Sequence, residues 1–255
     1  LKKQYVTVDD VVATSATFIK GGECIRLSIP EESIASKQLI FPLQVVYEDE
    51  YLAAIHKPAG IMVSGNSFKT IANALPQNLK RSKRPDASRP QPVHRLDYAT
   101  TGILLVGKTA SSIRALNKMF ENRAVDKSYF AISIGKMDEQ GAINSDVDGK
   151  ASLSEYKVHD SVPSERFEQL NLVALSPHSG RRHQLRKHLS EIGHPILGDQ
   201  VYGIDHLILK GKGLYLHAYS LQFIHPFTEE KLHLTAELPE RFGKIFPDQK
   251  ANKNF

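Results

Sequence analysis

Residues 92–106 read Pro92-Val93-His94-Arg95-Leu96-Asp97-Tyr98-Ala99-Thr100-Thr101-Gly102-Ile103-Leu104-Leu105-Val106, a polar loop running straight into four aliphatic residues. A short apolar run bounded by turn-forming residues marks a strand covered on both faces. Ahead of it, His94, Arg95 and Asp97 crowd the junction. Such groups are costly to bury unless they are paired. An aspartate at a loop-to-strand junction can also be a turn residue that bonds its own backbone. These residues alone leave both readings open.

Working outward, Thr109 is placed to cap a helix in which Ile113, Leu116 and Phe120 fall at i, i+3 and i+7, with Met119 alongside. On the other side, Val45-Val46-Tyr47 and Leu52-Ala53-Ala54-Ile55 read as strands joined by the acidic turn Glu48-Asp49-Glu50, and Lys57-Pro58-Ala59-Gly60 ends the pattern. Thr70 caps a short helix through Leu75, and residues 76–92 are expected to form a basic, proline-bearing loop. Strand signals follow at 128–134, 153–158, 168–175, 214–224 and 230–237. Leu185, Leu189 and Ile192 share one helical face, with Gly193 as a left-handed terminator. Strands outnumber helices and follow one another like hairpins, which predicts an α+β domain with a largely antiparallel sheet.

The remaining stretches are short. Residues 1–40 hold a small β unit, with Tyr5-Val6-Thr7-Val8 and Cys24-Ile25-Arg26-Leu27-Ser28-Ile29 either side of Gly21-Gly22, and then a polar linker over residues 31–38. The main domain is expected over 41–248 and a tail over 249–255. The chain starts at Leu1 with no export signal pattern, so the numbered sequence is expected to begin inside a longer protein.

Composition narrows the class. With 41% hydrophobic and 24% charged residues among 255, the chain is neither disordered nor fibrous. No apolar run approaches the roughly 18–20 residues of a membrane span. The single cysteine, Cys24, excludes an internal disulfide framework and zinc sites built on cysteine pairs, and suits a reducing cytoplasm. The net charge of +5 is modest, but its distribution is uneven. Lys80, Arg81, Lys83, Arg84 and Arg89 cluster in one segment, and Arg181, Arg182, Arg186 and Lys187 in another. Two such clusters fit a surface that neutralises a polyanion, or equally two solvated loops.

Two further segments carry chemistry. In Lys127-Ser128-Tyr129-Phe130-Ala131-Ile132-Ser133-Ile134, period-two alternation puts Tyr129 opposite Phe130, Ile132 and Ile134. Its ring is therefore either a ligand-stacking group or an ordinary half-exposed strand tyrosine. In Ser179-Gly180-Arg181-Arg182-His183-Gln184-Leu185-Arg186, Arg182 and Arg186 share a face if the helix has begun by residue 182. Donors gathered at a helix start suit phosphate or a buried carboxylate, and the bland alternative is a solvated basic face.

Taken in order and spacing, His94-Arg95-Leu96-Asp97, Lys127-Ser128-Tyr129 and Ser179 through Arg186 resemble the RluA-type family of pseudouridine synthases, with Ser179 in place of a threonine as the one departure in the third element. The likeness runs from about Val45 to Pro226. It takes in Lys57-Pro58-Ala59-Gly60, the turn Gly193-His194-Pro195-Ile196-Leu197-Gly198-Asp199, and Leu216-His217-Ala218. The first forty residues resemble the trailing β portion of an RNA-binding domain shared with small-subunit ribosomal protein four.

The resemblance implies the pseudouridine synthase fold, a largely antiparallel mixed sheet flanked by helices and loops around a central catalytic cleft. It also implies uridine isomerisation in structured ribosomal or transfer RNA, with no cofactor and no metal; beside it, a monomer is the simplest expectation and the single cysteine points to the cytoplasm. Asp97 is then the essential carboxylate, Arg186 its counter-ion and Tyr129 the ring that stacks on an everted base. RNA contacts are expected from His94, Arg95, Arg181, Arg182 and His183, and from the loop bearing Lys80, Arg81, Lys83, Arg84 and Arg89. Two rivals stand beside this reading: a non-catalytic RNA-binding module on the same scaffold, and a metal hydrolase built on His178, His183 and His188.

Overall fold

The computed structural model describes residues 4–28 and 39–247. The chain divides into two compact units, residues 1–38 and 39–255.

In the first unit, β1 (Val6–Val8), β2 (Val11–Val12) and β3 (Ile25–Leu27) pair antiparallel in the order β2-β1-β3. Asp9 and Asp10 turn the β1–β2 hairpin with φ of 47° and 64°, the left-handed pair that tight hairpins favour and Asp tolerates. The Asp9 carboxylate accepts the Cys24 N–H at 2.9 Å, and Asp10 pairs with Arg26 at 2.6 Å. Strand β2 carried no signal beyond two valines. The linker expected over 31–38 and the tail over 249–255 lie outside the described residues.

The second unit is one ten-stranded sheet. Its strands are β4 (Gln44–Glu48), β5 (Leu52–Lys57), β6 (Ala87–Pro92), β7 (Thr101–Thr109), β8 (Asp126–Ile134), β9 (Gln140–Asn144), β10 (Leu153–Ser164), β11 (Glu168–Pro177), β12 (Leu216–Ile224) and β13 (Lys231–Thr235). The order is β4-β5-β7-β12-β8-β11-β10-β9, with β13 on β12 and β6 on β7. Among the described residues, β7 and β12 are the one parallel pair of named strands. The helices are α1 (Ile71–Asn78), α2 (Ala110–Glu121), α3 (Gln184–Glu191) and the single turn α4 (Glu240–Gly243).

All nine residues of β7 are buried, as its apolar run requires. One edge pairs with β5 along Gly102–Gly107. The other edge is shared: β12 takes Thr101 and Gly102, and β6 takes the far end around Val106 to Thr109. The loop 93–100 leaves β6 and returns as β7 across that divergence. Gly102 makes the turn possible. Its φ is +118°, and a Cβ there would stand 2.1 Å from the Ala218 carbonyl oxygen, so only glycine lets β7 approach β12 so closely.

Thr109 caps α2 as expected, accepting the Ser112 N–H while the Ser112 hydroxyl accepts the Thr109 N–H. Thr70 caps α1 through the Asn73 N–H. Beyond Leu75 the expected loop is corrected. Helix α1 runs through Pro76 to Asn78, where the Leu79 N–H to Leu75 carbonyl bond still closes the last turn. Residues 87–92 form β6, an edge strand in which Pro90 and Pro92 are tolerated because only β7 pairs with it. The helix that carries Leu185 and Leu189 starts at Gln184, with His183 itself left-handed at φ 57°. Arg182 therefore precedes the helix. Gly193 ends α3 with φ +84°.

Two hydrophobic cores cover the sheet. One gathers β5, β7, α1, α2 and part of β12 around Leu75, Leu104 and Leu116. The other gathers β8, β11, α3 and the segment around Phe242 and Phe246 around Phe130, Leu172 and Leu189. Strand β8 is buried on both faces from Phe130 onward, so the expected two-sided character holds only in its first half, which includes Tyr129. Among the described residues no helix is long and apolar enough to cross a membrane.

Candidate active site

A cleft of about 230 Å³, open along one side, lies where β7 and β12 begin. Arg95, Leu96, Asp97 and Thr100 line it from the loop before β7, Tyr129 from β8, Pro177 and residues 179–186 from the end of β11 into α3, and Leu216 from β12.

Lys57 holds the loop that carries Asp97. Its buried ammonium donates to the carbonyls of Pro58 at 3.0 Å, Tyr98 at 3.3 Å and Thr100 at 2.7 Å. Burial lowers its pKa to about 8, and the Asp97 charge works in the opposite direction. The Gly60 N–H reaches the Tyr98 carbonyl at 2.8 Å, and the Thr100 N–H that of Asp97 at 3.1 Å. On the other side of the same junction, Thr101 Oγ1 meets His217 Nδ1 at 2.8 Å.

The side chain of Asp97 is directed at Arg186 and His183. Its Oδ2 lies 3.5 Å from Arg186 Nη1, and its Oδ1 lies 3.7 Å from His183 Nε2. The turn-residue reading of this carboxylate gives way to the paired one. The expected pairing with Arg186 needs a refinement, because the guanidinium has a closer partner. Arg186 Nε and Nη2 grip the two oxygens of Asp199 at 2.7 and 2.8 Å, a bidentate, charge-assisted pair. The Asp199 side chain is fully shut off from solvent, whereas that of Asp97 keeps 17% of its surface open. Burial works against charge on both partners, yet their mutual hydrogen bonds hold Asp199 below the usual carboxylate range and raise Arg186 above the usual arginine value. Asp97 thus faces the third, less committed nitrogen of an arginine already fixed in place.

Tyr129 adds its ring to the wall. Burial, with the Asp97 charge adding to it, raises its hydroxyl pKa above the ordinary tyrosine range, so the phenol stays protonated at neutral pH. Nearby, Lys127 Nζ reaches the Ser179 carbonyl at 3.3 Å. Gln184 braces the segment leading into α3: its Oε1 accepts from Ser179 Oγ at 2.7 Å and from the Arg181 N–H at 3.1 Å, while its Nε2 donates to the Leu153 carbonyl.

Arg95, Arg181, Arg182 and His183 also line the cleft, the first three exposed. His94 does not line it, and its reading as an RNA contact is corrected. Its ring stacks on Phe120 at 4.6 Å and its Nε2 accepts the Leu105 N–H, so it is part of the scaffold. Lys80, Arg81, Lys83, Arg84 and Arg89 are exposed or partly exposed but stand apart from the cleft lining. The Lys80 and Lys83 N–H groups bond Glu48 and Glu50, and the Arg84 guanidinium lies 5.0 Å over the Tyr51 ring. Tyr51 precedes β5 and Lys57 ends it, so this cluster sits about 20 Å along the strand from the cleft.

The three histidines of the metal-site rival separate. His178 pairs with Glu155, His183 with Tyr202, and His188 with Ser154. Among the described residues no group of three or more His, Cys, Asp or Glu could hold a metal ion. Sequence reasoning missed Lys57 and Asp199 as site residues. Both stand in the stretches that carry the family resemblance, and that was their only signal.

The family profile described as RNA pseudouridylate synthase matches residues 51–191. A ribosomal large subunit pseudouridine synthase D from Nitrosomonas europaea is 32% identical over 272 residues, covering 96% of this chain and 77% of the relative. A ribosomal large subunit pseudouridine synthase C from Pasteurella multocida is 35% identical over 226 residues, covering 79% and 66%. The solved structure of human RNA pseudouridylate synthase domain containing 4 superimposes with a TM-score of 0.62 at 27% identity, over 78% of this chain and 90% of that one. These likenesses over most of its length, around a cleft where Asp97 meets Arg186, lead to one conclusion: the chain belongs to the RluA-type family and is an RNA pseudouridine synthase.

Proposed function

We propose that this enzyme isomerises uridine in large-subunit ribosomal RNA, with Asp97 as the reacting carboxylate. The reaction breaks the bond from ribose C1′ to base N1 and forms one from C1′ to C5. The C5 proton leaves and N1 gains one, so no atom is added or lost overall. A charged carboxylate against the ribose–base junction serves this chemistry either as nucleophile or as base. The observation that carries the reading is Asp97 facing Arg186 and His183 beside the Tyr129 ring in an open cleft.

The reacting atoms of a stacked nucleotide are out of reach, so the uridine must be everted at a cost of a few kcal/mol. Tyr129 then stacks on the base, and Arg95, Arg181 and Arg182 at the cleft mouth take flanking phosphates or fill the gap left behind. The distant basic cluster at Lys80, Arg81, Lys83, Arg84 and Arg89 adds weak, salt-sensitive contacts to more remote phosphates. The three-stranded unit acts as the end of an auxiliary RNA-binding domain. In this reading the enzyme works as a monomer in the cytoplasm, a reducing compartment that suits its single cysteine. Ribosomal RNA is favoured over transfer RNA because the relatives named above carry large-subunit ribosomal names.

The test is Asp97→Asn, which keeps the shape and removes the charge. Incubated with transcribed ribosomal RNA and no cofactor, the variant should bind RNA as wild type does and form no pseudouridine. Near wild-type product formation would sink the assignment. Mapping pseudouridines across cellular RNA with and without the gene separates ribosomal from transfer RNA targets.

A further inference from the structure

Both groups that flank Asp97 are held from one short turn, roughly one hundred residues away in sequence. The turn follows Gly198, whose φ is +80° and whose absent Cβ would stand 1.9 Å from the Gly213 carbonyl oxygen. Asp199 grips Arg186 with both oxygens and accepts the N–H groups of Val201 at 2.9 Å and Tyr202 at 3.1 Å. Ser190 of α3 donates its hydroxyl to the Tyr202 carbonyl at 2.7 Å, tying the turn to the helix. The ring of Tyr202 lies 5.0 Å from the Arg186 guanidinium, and its hydroxyl lies 2.9 Å from His183 Nδ1. The contacts form a closed circuit: Asp97, Arg186, Asp199, Tyr202, His183 and back to Asp97.

We propose that the Asp199–Tyr202 turn is the positioning element of the reaction centre, with the Tyr202 hydroxyl fixing the tautomer of His183 so that Nε2–H faces Asp97. The inference rests on Asp97 being the reacting carboxylate. An imidazole lone pair aimed at a carboxylate 3.7 Å away is repelled, whereas an N–H there is attracted. A hydroxyl donating to Nδ1 selects that second arrangement, in the way outer hydrogen bonds set the tautomers of other functional histidines. The charged and titratable groups facing His183 are Asp97, Arg186, Arg182, Asp199 and Asp148, besides Tyr202. Burial, helped by the two arginines and opposed by Asp97, lowers the pKa of His183, which keeps the neutral ring available at neutral pH. Tyr202 and Asp199 act through His183 and Arg186, so both are positioning residues.

The experiment compares wild type, Tyr202→Phe and Asp97→Asn on the same RNA. Tyr202→Phe keeps the ring beside Arg186 and removes only the hydroxyl. Its kcat should fall about tenfold with KM within about twofold, because misplacement of a reacting group is a transition-state effect. The melting temperature should match wild type. The acid limb of kcat should move to higher pH, since Nδ1 without its donor binds a proton more readily. A kcat and pH profile equal to wild type would overturn the inference. So would a fall in kcat with an unmoved acid limb, which would make the hydroxyl a packing element only. An inactive Asp97→Asn beside an unaffected Tyr202→Phe leaves the site reading standing and removes this one; an active Asp97→Asn removes both.

Discussion

Nε2 of His94 accepts the main-chain N–H of Leu105 at 2.9 Å, so an imidazole stands where a strand carbonyl would otherwise be. One residue earlier, the Val93 N–H still bonds the Leu105 carbonyl at 3.1 Å. The chain must leave β7 here to build the Asp97 loop, and His94 caps the exposed ladder as it goes. The stacked Phe120 of α2 fixes the ring plane. A residue that looks like an RNA contact in the sequence is a substitute for backbone.

Only the neutral ring can accept that hydrogen bond. Burial, with Lys127 nearby, lowers the His94 pKa to about 3, below the ordinary value of about 6.5 that it regains on unfolding. The unfolded chain therefore binds the extra proton first. Stability from this group is complete above about pH 6.5 and declines as pH falls towards 3, by at most about 1.4 kcal/mol per unit. His217, with a pKa lowered to about 4 chiefly by burial, contributes in the same sense, so a variant difference is the clean measure. His94→Gln should be about 1 kcal/mol less stable at pH 7, with a flatter acid limb. Urea unfolding from pH 7 to 4.5 checks it, and parallel curves for the two proteins would contradict it.

Lys57→Met should loosen the Asp97 loop while filling nearly the same space. Three carbonyls lose the ammonium, of which that of Tyr98 keeps the Gly60 N–H, at a cost of about 3 kcal/mol in all. The expected kinetic signature is a kcat reduced more than the affinity for RNA, because the loop carries Asp97, the proposed reacting group. Measured kcat equal to wild type would show that the ammonium does not hold the loop in its working shape.

Arg186→Ala should be the most damaging single change at the site. It strands Asp199, whose side chain has no solvent exposure, as well as removing the cation facing Asp97. Removing one partner of a buried pair costs about 3–5 kcal/mol. The pH response should also reverse. In wild type, Asp199 is held below the usual carboxylate range, so its contribution is present above about pH 4 and lost in acid. Without the guanidinium, its folded pKa rises above the unfolded value, so the deficit of the variant against wild type narrows as pH falls from 7 to 5. Thermal melts across that range decide the point.

The sequence pattern made the central strand and the helix caps legible, because an unbroken run such as Ile103–Val106 and a hydroxyl at Thr109 act locally. That Asp97, Tyr129 and Arg186 share one cleft was legible only through the family resemblance that their elements carry. What the sequence could not convey depends on contacts between distant segments. Nothing near Asp199 announces that it takes the stronger grip on Arg186, and nothing near Lys57 says that its ammonium ends among carbonyls forty residues on. Strand β6 was hidden by prolines that an edge position tolerates. His94 was misread because charge-bearing neighbours, Arg95 and Asp97, made a ladder-capping ring look like a ligand contact.

The double grip of Asp199 on Arg186 has a dynamic consequence. An arginine with one partner can swing after that partner when its charge is displaced. Here two N–H directions are already anchored at 2.7 and 2.8 Å, so in the proposed reaction the guanidinium stays put while electrons shift between carboxylate, sugar and base. A stationary field has nothing to reorient at the top of the barrier. The salt bridge that lies behind the reacting centre is what lets the one in front of it be loose.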